Sequence, residues 1–182
     1  MRCTRVGTRF PILCLTLWVL RLTGPGLPPG GSFPPECPFL LLTPPPEVPA
    51  GHRDVLFAVN RRLGELQVIP AARRDLQAVV LRPPGASPCV CVLFYAPDSS
   101  RGLPSRALFW ETLSLFLAEC RRMVPDCWFC CLGDANMHWP ALDAARPASP
   151  DLPISLACFN DAGLVCYNPP GAATHRSGTI LD

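Results

Sequence analysis

The chain has 182 residues, of which 49% are hydrophobic and 16% charged, a composition that suits one domain with a sizeable core and excludes a wholly disordered polymer. The formal net charge is +2, too small to argue for a polyanionic partner by itself. No run of about 20 uninterrupted apolar residues appears, so hydropathy gives no clean membrane span.

The 24 prolines far exceed the usual share of about 5%. Eleven of them lie in residues 1–50. That part also carries the whole net charge, through Arg2, Arg5, Arg9 and Arg21 against Glu36 and Glu47. Residues 51–182 hold twelve arginines and twelve acidic residues, and lysine is absent throughout. The chain therefore divides into a leader, 1–50, and a globular part, 51–182. The leader opens with three arginines and then the apolar run Phe10 to Leu20, a pattern that resembles a secretory signal. Pro11 and the absence of a small-x-small cleavage site speak against it. From Gly24 to Pro49 the proline and glycine content predicts an unpacked linker.

In the globular part, short apolar runs predict strands at Asp54–Val59, Leu66–Ile69, Leu76–Leu81 and Cys89–Tyr95, separated by turn residues as in hairpins. Leu108, Phe109, Leu113, Phe116, Leu117 and Cys120 recur at three- and four-residue steps, which predicts an amphipathic helix from Ser105 to Met123 with Ser105 as N-cap. A strand over Cys127–Leu132, a helix over Ile154–Ala162 and a strand over Leu164–Tyr167 follow. The order suggests a layered α/β domain. Eleven cysteines cannot all pair within one chain. Several sit in apolar strand-like runs, so they read as reduced core thiols in an intracellular compartment. That reading conflicts with the signal-like leader, which implies a secretory route if residues 1–22 act as a signal, or an anchor to a membrane.

The strongest local motif is Leu132-Gly133-Asp134-Ala135-Asn136-Met137-His138, an apolar strand running into Gly-Asp-x-Asn-x-His. Asp134 and Asn136 are two apart on an extended segment and would converge at the strand's C-terminal end, where α/β sheets place ligands. The alternative is an Asx-turn after a strand. Upstream, a strand ends in Tyr95-Ala96-Pro97. Downstream lies Thr174 to Asp182, with Ser177-Gly178-Thr179-Ile180-Leu181-Asp182.

From Leu76 to Asp182 this ordered set resembles the endonuclease/exonuclease/phosphatase family, nearest to the apurinic-endonuclease-like domain of non-LTR retrotransposons. The resemblance implies a partial four-layer α-β-β-α sandwich behind an unpacked leader, intracellular or nuclear placement, and Mg²⁺-dependent phosphodiester hydrolysis of DNA. It implies that Asp134 orients or deprotonates the attacking water, Asn136 hydrogen-bonds the scissile phosphate, Tyr95 donates its hydroxyl to that phosphate, and Asp182 orients a catalytic histidine. Arg176 and His138 are the substrate-side candidates, against a solvated arginine and a structural histidine. Ala135 departs from the family's larger residue. The family's early metal glutamate and closing Ser-Asp-His segment have no counterpart, so the metal ligand is unassigned and impaired hydrolysis is the expectation. The neutral globular part also fits a small-molecule phosphatase. Two further readings are a non-catalytic retroelement-derived fragment and a secreted cysteine-rich binding module. Zinc at Cys127, Cys130, Cys131 and His138 is disfavoured because Cys130 faces away from the other two on a strand. A Cys127-x-x-Cys130 redox site is disfavoured because it begins a strand, not a helix.

Overall fold

Proline and glycine set the lengths of the elements. The structure, a computed structural model, describes residues 39–44, 47, 55–140 and 147–165. Strands β1 (Phe39–Leu42) and β2 (Phe57–Asn60) form an antiparallel ribbon, with Phe39 opposite Asn60 and Leu42 opposite Phe57. Strands β3 (Glu65–Ile69), β4 (Leu76–Arg82), β5 (Cys89–Tyr95) and β6 (Trp128–Asp134) form one sheet in that order. The β3–β4 and β4–β5 pairs are antiparallel. The β5–β6 pair is parallel, and helix α1 (Gly102–Met123) makes the crossover between them. Helix α2 (Leu152–Asp161) follows β6. The protein is thus of mixed α/β class.

β4 and β5 read as nearly continuous apolar runs because both faces of the sheet are covered. On one face Ala78, Val80, Val90, Val92 and Phe94 pack against Phe109, Trp110, Leu113 and Leu117 of α1 and Phe159 of α2. Phe94 lies at the centre of the aromatic contacts, with its ring centroid 6.0 Å from Trp110, 6.1 Å from Phe159 and 6.3 Å from Phe109. On the other face Val79, Leu81, Cys91, Leu93 and Tyr95 pack against Val55, Phe57 and Val59. Each fully buried Val, Leu or Phe side chain contributes about 1.5–3 kcal/mol, and these types make up most of the buried residues in both layers. The resulting order is helices, four-stranded sheet, two-stranded ribbon.

One polar arrangement is sealed inside. Arg106, on the second turn of α1, places Nε 2.9 Å and Nη2 2.8 Å from Oδ2 of Asp151, and the Trp110 indole N–H donates to the same oxygen at 2.7 Å. Arg106 is 4% exposed and Asp151 0%. Asp151 immediately precedes α2, so this pair pins one helix to the other. Breaking such a buried pair costs about 3–5 kcal/mol, because the remaining charge is left uncompensated.

Several sequence expectations are corrected. The proline-rich segment 24–49 is not uniformly an unpacked linker. Phe39–Leu42 lies between Pro38 and Pro44 and keeps all its N–H groups, so it pairs with β2, and the Leu42 carbonyl accepts from the buried amide of Gln77 at 3.3 Å. The strand expected over Asp54–Val59 is found at Phe57–Asn60, where its partner offers only four residues, and Asp54 lies outside the described residues. The helix begins at Gly102, and Ser105 lies within it rather than capping it. A preceding 3₁₀ turn, Ser99–Arg101, capped by Asp98 through the Ser100 N–H, already starts the spiral, and Pro104 is tolerated in the first turn. β6 extends two residues beyond Leu132, so Gly133 and Asp134 belong to the strand. α2 starts at Leu152, with Pro153 in its first turn. Leu164 and Val165 are not strand, and the rest of the Leu164–Tyr167 run lies outside the described residues. No described helix is long and apolar enough to cross a membrane.

Candidate functional site

The β5–α1–β6 unit brings two strand ends side by side. In the parallel register Tyr95 pairs with Asp134, each the last residue of its strand. The Ala96 N–H donates to the Asp134 carbonyl at 2.8 Å, prolonging the ladder by one step. Gly133 makes this approach possible. A Cβ there would stand 2.3 Å from the Phe94 carbonyl oxygen and 2.6 Å from its ring, so no other residue fits without a backbone shift. The glycine of the motif is thus a packing requirement of Phe94, on the helix-facing side.

Beyond Asp134 the chain turns sharply. The Asn136 N–H donates to Asp134 Oδ1 at 3.0 Å, and Asn136 has φ of 47°, in the left-handed region that asparagine tolerates better than most residues. Its side-chain amide donates to the Ala96 carbonyl at 2.6 Å. The Asx-turn is therefore present, and Asn136 reaches the corner through that turn and not through the alternation of an extended segment. Between the polar residues, Ala135 and Met137 point into the helix-side core, each 3% exposed. Ala135, the departure from the family pattern, is small because it is enclosed there.

The structure thus brings Tyr95, Asp134 and Asn136 to one corner. Tyr95 is 9% exposed, and its ring belongs to the ribbon-side core. His138 is half-buried, and its backbone exchanges hydrogen bonds with Ser149: its N–H donates to Ser149 Oγ at 2.7 Å and its carbonyl accepts from the Ser149 N–H at 3.0 Å. Its evident role is to tie the loop after β6 to the approach to α2. Arg176 and Asp182 lie outside the described residues.

Sequence reasoning missed Asp75. It is fully buried at the start of β4, at the same end of the sheet as Tyr95, whose N–H donates to the Asp75 carbonyl at 3.0 Å. Arg73 clamps the Asp75 carboxylate with Nε at 2.8 Å and Nη2 at 2.7 Å, and lies 5.7 Å from the Phe109 ring centre. The hydrogen bonds to Asp75 raise the Arg73 pKa above its ordinary value. The signal was available as a charged Arg73-Arg74-Asp75 cluster directly before an all-apolar strand. Spacing alone did not reveal that its carboxylate would be buried.

The Mg²⁺ that the family resemblance implies finds no cradle among the described residues. No group of three or more His, Cys, Asp or Glu side chains is placed to hold a metal ion, and Asp134 already spends one oxygen on its own turn. A cavity of about 530 Å³ opens at the opposite end of the sheet, where Arg121, Asp126, Cys127, Trp128 and Asp161 line it; none of the strand-end candidates does. Of the thiols expected to be core residues, Cys91, Cys120 and Cys158 are buried and free. Comparison with protein-family models and with curated proteins finds no match to the chain.

Proposed function

We propose that this protein carries an endonuclease/exonuclease/phosphatase-type domain whose ligand is a DNA phosphodiester, bound at the C-terminal ends of β5 and β6. The observation that carries the reading is the Tyr95–Asp134 register, with Asn136 folded back onto the same corner. Open α/β sheets bind ligands at the carboxyl ends of their strands. In this reading Asp134 orients a water, and the Tyr95 hydroxyl and the Asn136 amide are the phosphate donors. The amide has to exchange its bond to the Ala96 carbonyl for one to phosphate, which lowers its contribution. Hydrolysis by this chain alone is accordingly weak, and the finer assignments of a four-layer sandwich and a retroelement origin belong to the same proposal.

The engagement of Asp134 Oδ1 within the turn and of the Asn136 amide on the Ala96 carbonyl favours a second reading, a non-catalytic domain that keeps the fold. A plasmid-nicking assay in Mg²⁺ separates the two. Under the first reading the parent chain nicks, and Asp134→Ala lowers the rate by about 10²–10⁴-fold, the usual worth of one positioned acid/base group. Equal, negligible nicking by both chains, with intact circular dichroism, would establish the second.

A further inference from the structure

Two thiols lie in contact on the ribbon-facing side of the central strand, and neither belongs to the strand-end site. Cys89 and Cys91 are two apart on β5, so both side chains leave the same face, and their sulfurs are 3.8 Å apart. Cys89 is the first residue of β5, half-buried, and is separated by the half-buried Pro88 from the exposed turn residues Pro84 to Ser87. Cys91 is fully buried among Val79, Leu81 and Leu93. One thiol therefore faces an entry route and the other is held behind it in the dry core.

We propose that Cys89 and Cys91 are a peroxide-sensitive dithiol that closes reversibly to a disulfide within β5. The Cys89 thiolate attacks one oxygen of a hydroperoxide. The O–O bond breaks, the alcohol leaves with a proton, and Cys89 becomes a sulfenic acid. The Cys91 sulfur then attacks the Cys89 sulfur. The S–S bond forms, the S–O bond breaks, and the hydroxide leaves with the Cys91 proton as water. Two thiols and one hydroperoxide give one disulfide, one alcohol and one water. The order of events follows from access and from hydrogen bonding: the Cys91 thiol hydrogen-bonds Cys89 and lowers its pKa, while that same bond and burial keep Cys91 protonated. The thiolate is the reactive form.

The bridge demands a local distortion of β5. Two residues along a strand span about 6.6 Å between Cα atoms at ~3.3 Å per residue, and their parallel Cβ atoms are spaced alike. Disulfides accept about 4.4–6.8 Å between Cα atoms but only about 3.5–4.5 Å between Cβ atoms. Closure therefore has to sharpen the pleat at Val90, and a bridge held under such tension is readily reduced. Because β5 is a central strand, paired with β4 and β6 along its length, the strain is felt in both neighbours. This inference does not depend on the phosphoester reading.

Peptide mapping tests it. Arginine is the only basic residue besides histidine, and the Arg82–Pro83 bond resists trypsin, so the peptide Asp75–Arg101 carries Cys89 and Cys91 and no other cysteine. The reduced full chain is treated with hydrogen peroxide, alkylated with N-ethylmaleimide and digested. The expected product is that peptide two hydrogens lighter and unlabelled, with two labels regained after dithiothreitol. Cys91→Ser should leave a Cys89 sulfenic acid that dimedone traps, and Cys89→Ser should leave Cys91 reduced. The proposal is overturned if the parent peptide stays doubly alkylated while other cysteines oxidise. It is equally overturned if either sulfur is joined to a different peptide, or if the bridge forms only in urea. The parent-chain result decides the matter even if a serine variant fails to fold.

Discussion

Asp151 and Asp134 are both carboxylates at the edge of a secondary-structure element, and they are used in opposite ways. Asp151 is sealed from water and accepts from Arg106 and Trp110, 45 and 41 residues away in sequence. Asp134 is half-buried and accepts from the backbone two residues on. The first joins two helices and cannot be altered without loosening them. The second shapes its own turn, so it can be altered while the rest of the fold persists. The difference teaches where chemistry can be tested in this protein: a polar group that holds distant elements is committed to stability, whereas a half-buried carboxylate that shapes its own turn at a strand end can be substituted to test for a ligand.

The sharpest way to break this contrast is Asp151→Ala. It leaves the Arg106 charge and the Trp110 indole buried without their acceptor, and the expected loss is about 3–5 kcal/mol in urea unfolding. A loss near that of an exposed substitution would mean that the α1–α2 contact is held by apolar packing alone. Gly133→Ala is next. Its Cβ would collide with the Phe94 backbone and ring, and overpacking of this kind costs about 1–3 kcal/mol. Thermal unfolding followed by near-ultraviolet circular dichroism should report both the loss and the disturbed aromatic cluster.

Asn136→Ala removes the bond to the Ala96 carbonyl and places alanine at positive φ, for an expected loss of about 1–3 kcal/mol. Asn136→Gly relieves the backbone part alone, so it should recover a portion of that loss. Identical unfolding midpoints for the two variants would show that the hydrogen bond carries the whole effect. A further expected effect is alkaline. Burial pushes the Cys120 and Cys158 thiols up to about 12 from an ordinary 9.0. Between those values the unfolded chain gives up these protons and the folded chain retains them. Stability from these groups is therefore full below pH 9 and is lost as pH rises toward about 12. Chemical unfolding across that range should show a falling midpoint, with a shallower slope when both cysteines are replaced by alanine.

Periodicity and punctuation determined much of the outline. The runs Leu76–Leu81 and Cys89–Tyr95 and the helical spacing from Phe109 to Cys120 are legible because β and α periods differ and because proline and glycine break them, whereas Leu108, expected on the same apolar face, is 57% exposed. Asp134 and Asn136 were legible as a polar pair after an apolar strand, but not the way they meet, because the strand ends at Asp134 and Asn136 reaches the corner through a turn with φ of 47° rather than along an extended chain. Three things were decided only in three dimensions. Phe39–Leu42 became a strand because β2 offered it a partner, which no proline count reveals. Arg106 and Asp151 became one buried pair because α1 and α2 pack on the same face of the sheet. Gly133 became obligatory because Phe94, on the neighbouring strand, fills the space its side chain would need. Local backbone preference is written residue by residue along the chain, but burial and long-range pairing depend on which elements meet, and that is a property of the assembled layers.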